Sequence, residues 1–153
     1  MHIVLVEPEI PQNTGNIART CALTKTSLHL VKPLGFSMGD RYLKRAGLDY
    51  WDKVDIKVWE SFWEVAEFFS QANIYLATTK AAKRYDKIKY RTADVLVFGS
   101  ETRGLPAEIL AAYSEDQKIR IPMLDIGRSL NLGNSAAVIL YEALRQLNFP
   151  GLK

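Results

Sequence analysis

Short apolar runs alternate with segments of helical periodicity along the 153 residues of the chain, and this alternation restricts the possible folds more than any other feature. Six runs have the length and composition of β-strands, and proline, glycine or polar residues follow most of them. The runs are residues 3–6, 28–31, 56–59, 74–77, 95–98 and 119–121. Such alternation is typical of α/β proteins. We therefore predict a single domain, residues 1–153, with a mainly parallel sheet.

Helical periodicity fills the gaps between these runs, at about residues 14–24, 60–71, 106–112 and 134–147. Asn134 and Ser135 are of types that commonly cap a helix N-terminus, so we expect the last helix to begin there. Within this helix, residues 136–141 are apolar on nearly all sides. This pattern predicts burial in the core or against another subunit.

The composition excludes several classes of protein. One cysteine cannot form an intramolecular disulfide, and one cysteine with two histidines is too few for a usual zinc site, so we expect no metal. No apolar run reaches the roughly 18 residues that would cross a bilayer, and the N-terminus lacks the features of a signal peptide. We therefore expect a cytoplasmic protein that does not associate with membranes.

Basic residues are concentrated in one window, although the net charge of the chain is only +3. Residues 80–91 contain six basic residues and one acidic residue, interleaved with Tyr85 and Tyr90. Basic side chains neutralise phosphates and aromatic rings stack on unpaired bases, but an ordinary solvated loop has the same composition. The candidate RNA contacts are Lys80, Lys83 and Arg84, together with Arg41 and Lys44 of a second basic group.

Ligands of parallel α/β sheets bind at the loops that leave the carboxyl ends of the strands. The first polar loop, residues 7–19, leads into a helix on which Asn16 and Arg19 are neighbours. Two interpretations are open for this pair. The side chains hold a phosphate or hydroxyl beside the helix N-terminus, or they belong to a capped helix and face solvent.

Two further loops contain glycine or small polar residues. Gly99 and Gly104 have the spacing of a phosphate-binding P-loop, but Leu105-Pro106 replaces its lysine and serine or threonine, which argues against a nucleoside triphosphatase. Residues 129–135 carry four serine and asparagine side chains that either bind a ligand or cap a helix. The G-x-S-x-G and G-x-G-x-x-G patterns of hydrolases and dinucleotide-binding proteins do not occur. His29 lies in an apolar run, where a hydrogen-bonded core histidine is expected.

Taken in order, the polar loops resemble the three motifs of the SPOUT class of RNA 2'-O-ribose methyltransferases. The motifs correspond to Asn13-x5-Arg19, to Phe98-Gly99-x-Glu101-x-x-Gly104, and to Ile121-Pro122-Met123 followed by Ser129-Leu130-Asn131. The resemblance covers nearly the whole chain. It is strongest to the short bacterial members that modify the wobble nucleotide of tRNA.

This resemblance implies an α/β domain whose C-terminal segment forms a deep trefoil knot, with no separate RNA-binding extension. It also implies a homodimer that packs through the first and last helices and binds S-adenosylmethionine at the knot loops. The implied cofactor positions are Ala77, Thr78, Gly99, Ser100, Glu101, Gly104, Ile121, Met123, Ser129, Leu130 and Asn134. The implied catalytic and substrate positions are Asn13, Arg19, Glu101, Ser129 and Asn131, and Arg19 would also contact RNA.

The implied reaction transfers a methyl group from S-adenosylmethionine to the ribose 2'-hydroxyl of the wobble pyrimidine, a cytidine or modified uridine, in the anticodon region of tRNA. Because arginine is a poor proton acceptor, we expect Arg19 to orient the ribose and a neighbouring phosphate. We expect Glu101 to have a supporting role, in which it holds Arg19 or the loop. Two alternatives stay open: methylation of ribosomal RNA by the same fold, and a non-catalytic RNA-binding module.

Overall fold

The computed structural model describes residues 1–39, 41, 50, 53–126 and 129–153 of the chain. Within these residues it contains one six-stranded sheet, in which every pair of neighbouring strands is parallel. The strands are β1 (His2–Val6), β2 (Ser27–Val31), β3 (Ile56–Trp59), β4 (Ile74–Ala77), β5 (Val95–Phe98) and β6 (Lys118–Ile119). Their order in the sheet is β3-β2-β1-β5-β4-β6. The predicted α/β class and mainly parallel sheet are therefore confirmed.

Helices cover both faces of this sheet. Because side chains alternate across a strand, Ile3 and Leu5 of β1 face one core and Val4 and Val6 face the other. The first core contains residues of the first and last α-helices, and the second contains residues of the two helices between them. In the described part of the chain these helices are α1 (Pro11–Thr24), α2 (Phe62–Phe68), α3 (Ala107–Ala112) and α4 (Leu132–Gln146), with 3₁₀ helices at Tyr85–Lys87 and Glu115–Gln117.

The predicted starts of the first and last helices are wrong. The first helix begins at Pro11 rather than near Thr14, because proline lacks the N–H that the first turn leaves unpaired and its fixed φ suits a helix. The last helix is capped by Asn131, whose Oδ1 accepts a hydrogen bond from the backbone N–H of Asn134 at 3.2 Å. Asn134 and Ser135 therefore lie in the first turn of α4 and do not cap it.

Two other predicted elements are too long or displaced. Helix α2 is shorter than residues 60–71, since Ser61 caps it by accepting a hydrogen bond from the Glu64 backbone N–H. Strand β6 covers Lys118–Ile119 rather than residues 119–121. The remaining strands agree with the prediction to within one residue.

The apolar stretch of α4 is only partly buried in one copy of the chain. Ala136, Ile139 and Leu140 are buried, but Val138 and Tyr141 are 38% and 47% exposed. Residues three apart on a helix lie on one face, so these two side chains form an apolar surface on α4. No helix in the described ranges is long and apolar enough to cross a membrane.

The direction of the strand order reverses between β1 and β5, and this reversal positions the functional loops. From β1 the chain proceeds to β2 and β3 on one side, whereas β5, β4 and β6 lie on the other. The register pairs Leu5 with Phe98, so the loop after β1 and the loop after β5 leave the sheet side by side. In open α/β sheets, ligands bind in the crevice at such a switch point.

His29 is 4% exposed in β2 and is hydrogen-bonded, as the sequence predicts for a core histidine. The Trp59 indole N–H can only donate, so Nδ1 of His29 accepts this bond, at 3.1 Å, and the proton of the neutral ring lies on Nε2. That Nε2 is 3.2 Å from Nδ1 of His2, which accepts. Burial and the neighbouring His2 lower the pKa of His29 to about 4, and burial also lowers the pKa of His2.

This pair predicts that the protein is less stable in mild acid. In the unfolded chain His29 binds a proton below about pH 6.5, whereas in the folded protein it does so only below about pH 4. The contribution of His29 to the free energy of unfolding is therefore complete above pH 6.5 and is lost as the pH falls towards 4. We expect a loss of about 2 kcal/mol, allowing for solvent screening. Urea unfolding of the wild type and of His29→Leu, each at pH 7 and pH 4.5, measures this loss of unfolding free energy. The same pH dependence in both proteins would contradict the assignment.

Candidate functional site

A cavity of about 430 Å³ opens at the switch point, beyond the carboxyl ends of β4, β5 and β6. Its volume is in the range of small-molecule sites, and its wall combines apolar side chains with hydroxyl and amide groups. Helix α4 contributes Ser135 and Ile139. Most residues that the motifs single out line this cavity: Asn13, Ala77, Thr78, Lys80, Gly99, Ser100, Glu101, Gly104, Ile121, Met123, Ser129, Leu130 and Asn131. Loops that are far apart in sequence therefore form one concave site.

Two of the predicted catalytic and cofactor residues do not line the cavity. Asn134 lies in the first turn of α4, where its backbone N–H is bonded to the capping Asn131. Arg19 is exposed on α1, with its guanidinium carbon 5.0 Å from the centre of the Tyr50 ring. Lys53 approaches the same ring at 5.8 Å. Arg19 thus forms a cation–π contact outside the cavity of its own chain.

The two glycines of the second motif have different structural requirements. A Cβ on Gly99 would lie 2.0 Å from the carbonyl carbon of Gly104 and 2.1 Å from the Leu105 nitrogen, so only glycine fits where the loop closes on itself. Gly104 has open space around its Cα but a φ of +71°, which side chains rarely adopt. The Gly104 N–H donates to the Ser100 carbonyl at 3.0 Å and completes the turn.

A chain of hydrogen bonds joins the three motifs. The Glu101 carboxylate accepts bonds from the backbone N–H groups of Glu9 and Ile10, at 2.8 and 3.2 Å, and from Nδ2 of Asn13 at 3.0 Å. Oδ1 of Asn13 in turn accepts a bond from Nδ2 of Asn131 at 2.9 Å. Asn13 is only 7% exposed, and Asn131 caps α4. Glu101 of the second motif therefore holds the first loop through these hydrogen bonds.

A second set of contacts joins the same two loops and was not predicted from the sequence. The Arg103 guanidinium lies 3.0 Å from the Glu7 carboxylate and 3.6 Å from that of Glu9. The Thr102 hydroxyl lies 2.8 Å from both carboxylate oxygens of Glu9, to which it donates. The charge pattern of Glu7, Glu9 and Arg103 was a possible signal, but it identifies an ion pair only once the parallel β1–β5 pairing is known.

The predicted RNA contacts lie in different environments. Lys80 lines the mouth of the cavity, whereas Lys83 pairs with Asp116 at 2.9 Å and Arg84 pairs with Asp86 at 2.9 Å. Arg41 is exposed. Lys44 lies outside the described residues. RNA contact by these residues stays a prediction.

The described lining of the cavity supplies hydroxyl, amide, carboxylate and basic groups. Its described lining contains no histidine or cysteine. Burial raises the pKa of the Cys21 thiol, which lies in the core, to about 12, so this thiol is not a nucleophile at neutral pH. Within the described ranges, no cluster of three or more His, Cys, Asp or Glu side chains is suited to a metal ion. The site can align a bound ligand and hydrogen-bond to it, which suits a reaction with an already activated group.

A family model described as the SpoU rRNA Methylase family matches residues 1–141 of the chain. The protein therefore belongs to this family of RNA methyltransferases, as its three motifs predict. A protein of Methylovorus glucosotrophus (strain SIP3-4), named tRNA (cytidine(34)-2'-O)-methyltransferase, is 52% identical over 149 residues, which are 97% of each chain.

Solved structures share the fold. One, described as "Structural insights into the 2-OH methylation of C/U34 on tRNA", has a TM-score of 0.91 and 44% identity, and the match covers 96% of this chain and 95% of that chain. Another is an AdoMet-bound rRNA methyltransferase from Sinorhizobium meliloti, with a TM-score of 0.83 and 25% identity. That match covers 95% of this chain but 56% of the other.

The glycines of the second motif give a matched pair of variants. We expect Gly99→Ala to lower the free energy of unfolding by more than about 3 kcal/mol or to prevent folding, because the new methyl group overlaps backbone atoms. Gly104→Ala adds no overlap and should cost about 1–2 kcal/mol for the left-handed backbone alone. Urea unfolding of both variants measures the difference. Equal losses would contradict the close approach at Gly99.

Proposed function

We propose that the protein transfers a methyl group from S-adenosylmethionine to the ribose 2'-hydroxyl of the wobble pyrimidine of tRNA. The observation that carries this proposal is the hydrogen-bonded chain from Glu101 through Asn13 to Asn131, which brings all three methyltransferase motifs to one cavity. A relative that matches nearly the full chain at 52% identity is named for this reaction. Ribosomal RNA is the second candidate substrate, because a structural neighbour is an rRNA methyltransferase.

The cavity suits S-adenosylmethionine in size and in chemistry. Apolar side chains such as Ile121 and Leu130 offer surfaces for an adenine ring, and the Thr78 and Ser129 hydroxyls offer hydrogen bonds to polar groups. Gly104, which lacks a side chain and has open space beside its Cα, lets a ligand approach the backbone. When bound, this cofactor supplies a methyl group already activated by a positively charged sulfur.

The residues of the chain then have to align the ribose and to stabilise it as its hydroxyl loses a proton. Good alignment alone can supply roughly 7–11 kcal/mol of a barrier. Asn131 and Ser129 at the cavity wall orient the ribose, while Asn13 is fixed between Glu101 and Asn131. Glu101 already accepts three hydrogen bonds, so its role is to hold the loop rather than to act as the base. Arg19 orients the ribose and a neighbouring phosphate with its charged, forked group.

Arg19 can act only if RNA or a second copy of the chain brings it to a cavity. We propose a homodimer that packs through α1 and α4, so that Arg19 of one subunit completes the site of its partner. Both helices expose apolar side chains, Leu23 on α1 and Val138 and Tyr141 on α4. Exposed apolar surface of this kind favours a partner that covers it. The expected location of such an RNA-modifying enzyme is the cytoplasm.

We also propose that the C-terminal segment is threaded as a trefoil knot within a single domain that covers the whole chain. The supporting feature is the return of the chain from β6, at the edge of the sheet, to α4, which packs on α1 near its centre. On the way, residues within 119–123 and within 129–135 line the cavity. A crystal structure that traces this segment tests the threading, and a path that passes outside the neighbouring loops would contradict it.

The function is tested by incubating the protein with S-adenosylmethionine and unmodified bulk tRNA and identifying methylated nucleosides by mass spectrometry. We expect a 2'-O-methylated wobble pyrimidine with the wild type. Arg19→Ala should lower the rate by about 100-fold or more, because a charged transition-state contact is lost. Arg19→Lys, the matched variant, should lose at least about tenfold, because a point charge replaces the fork.

Each other result has a defined meaning. Near-normal activity of Arg19→Lys would contradict the need for the fork. Cofactor binding without tRNA methylation would favour another RNA substrate, and rRNA is the first to test. If isothermal titration detects no cofactor binding, the protein is a non-catalytic module.

The shared site is tested with mixed dimers. Arg19→Ala leaves the cavity intact, and Ser129→Trp fills the cavity but leaves Arg19 intact. Each variant alone should be inactive, whereas an equal mixture should regain about a quarter of the wild-type activity, because half of the dimers contain one complete site of two. Native mass spectrometry verifies that chains exchange. An inactive mixture with exchanged chains would contradict a shared site.

A further inference from the structure

A second cavity, of about 450 Å³, lies at the β6 edge of the sheet, away from the candidate site. Lys83, Lys87 and Lys89 line it together with one carboxylate, that of Asp116. Of these lysines only Lys83 belongs to the predicted RNA contacts. The lining thus carries two more positive charges than negative ones, in a protein whose net charge is +3.

The two cavities lie at opposite ends of the same strand. The candidate site contains Ala77 at the carboxyl end of β4, and the second cavity contains Asn73 and Tyr75 at its amino end. Asn73 and Ala77 are four positions apart along the extended chain, a distance of about 13 Å. A chain of a few nucleotides can therefore occupy both cavities at once.

Basic side chains also occupy the interval between the cavities. Lys80 and Arg120 line the mouth of the candidate site, and the backbone of residue 84 forms a parallel bridge with that of Arg120. The segment that follows, through Arg84 to Lys89, leads to the second cavity. A polyanion that lies along this edge meets several basic side chains, with the carboxylates of Asp86 and Asp116 among them.

The ion pairs of these lysines are weak enough to be replaced. Lys83 pairs with Asp116 at 2.9 Å, but the Asp116 side chain is 88% exposed. Lys87 lies 3.8 Å from the Asp86 carboxylate, and Lys89 forms no salt bridge with any residue that the structure describes. Exposed pairs of this kind contribute little stability, so a phosphate can displace them.

We propose that the second cavity binds backbone phosphates of the same RNA whose ribose enters the candidate site. The proposal rests on the proposed function, since it requires an RNA substrate. Lysine ammonium groups bind phosphates as point charges and do not read bases, so this cavity adds affinity and register rather than sequence preference. Lys87 and Lys89 are the residues that this proposal adds to the RNA-binding surface.

The test compares two double variants that remove the same charge. Lys87→Gln/Lys89→Gln alters the second cavity, and Lys32→Gln/Lys57→Gln alters lysines on β3 and beside it, at the opposite edge of the sheet. The dissociation constant of unmodified tRNA is measured by filter binding at several salt concentrations, and cofactor affinity and thermal unfolding are measured in parallel.

We expect the cavity variant to bind tRNA about tenfold or more weakly at 0.1 M salt, with the slope of log affinity against log salt reduced by about 1.4–1.8. The control variant should retain the wild-type slope, and both should bind S-adenosylmethionine as the wild type does. If the wild type methylates tRNA and the cavity variant keeps its slope and affinity, the inference is overturned and the proposed function stands. If the wild type binds no RNA, both the inference about the second cavity and the proposed function fail.

Discussion

The carboxylate of Glu101 is the group on which the geometry of the site depends. It accepts two backbone hydrogen bonds from the first loop and one from Asn13, whose amide is then fixed against Asn131. Hydrogen bonds to a charged acceptor contribute about 1.5–3 kcal/mol each. Asn13 is buried, so the loss of Glu101 would leave the Asn13 amide without a hydrogen-bond partner for its N–H group. One carboxylate thus holds three loops in a fixed relation.

This interaction depends on the sheet. Parallel pairing of β1 with β5 brings the loop before Asn13 next to the loop that contains Glu101, and Gly99 lets the second loop close tightly enough. The external contacts of Arg103 with Glu7 and Glu9 reinforce the same junction from the solvent side. Exposed ion pairs contribute little stability on their own, so we assign the main effect to the hydrogen bonds that Glu101 and Asn13 accept.

The sequence was sufficient for the fold class because apolar strand runs depend on local composition, and five of the six strands agree within one residue. Helix starts were less predictable. Asn131, Asn134 and Ser135 are all good capping residues, and the choice among them depends on the bond of Asn131 to Asn13, a contact 118 residues away. Most of the cofactor positions implied by the motifs line one cavity, but the contacts of Arg103 and the position of Arg19 outside the cavity depend on tertiary structure.

The long separations within the site affect when it can form. Asn13 bonds to residues 88 and 118 positions further along the chain. Long-range contacts of this kind form late, because a large loop must close first. During synthesis, the first helix emerges from the ribosome long before Glu101 and Asn131. The basic residues of the window 80–91 also emerge before Asn131, so a nascent chain exposes them before the cavity has formed. The ability to modify RNA arises only when nearly the whole chain has been made.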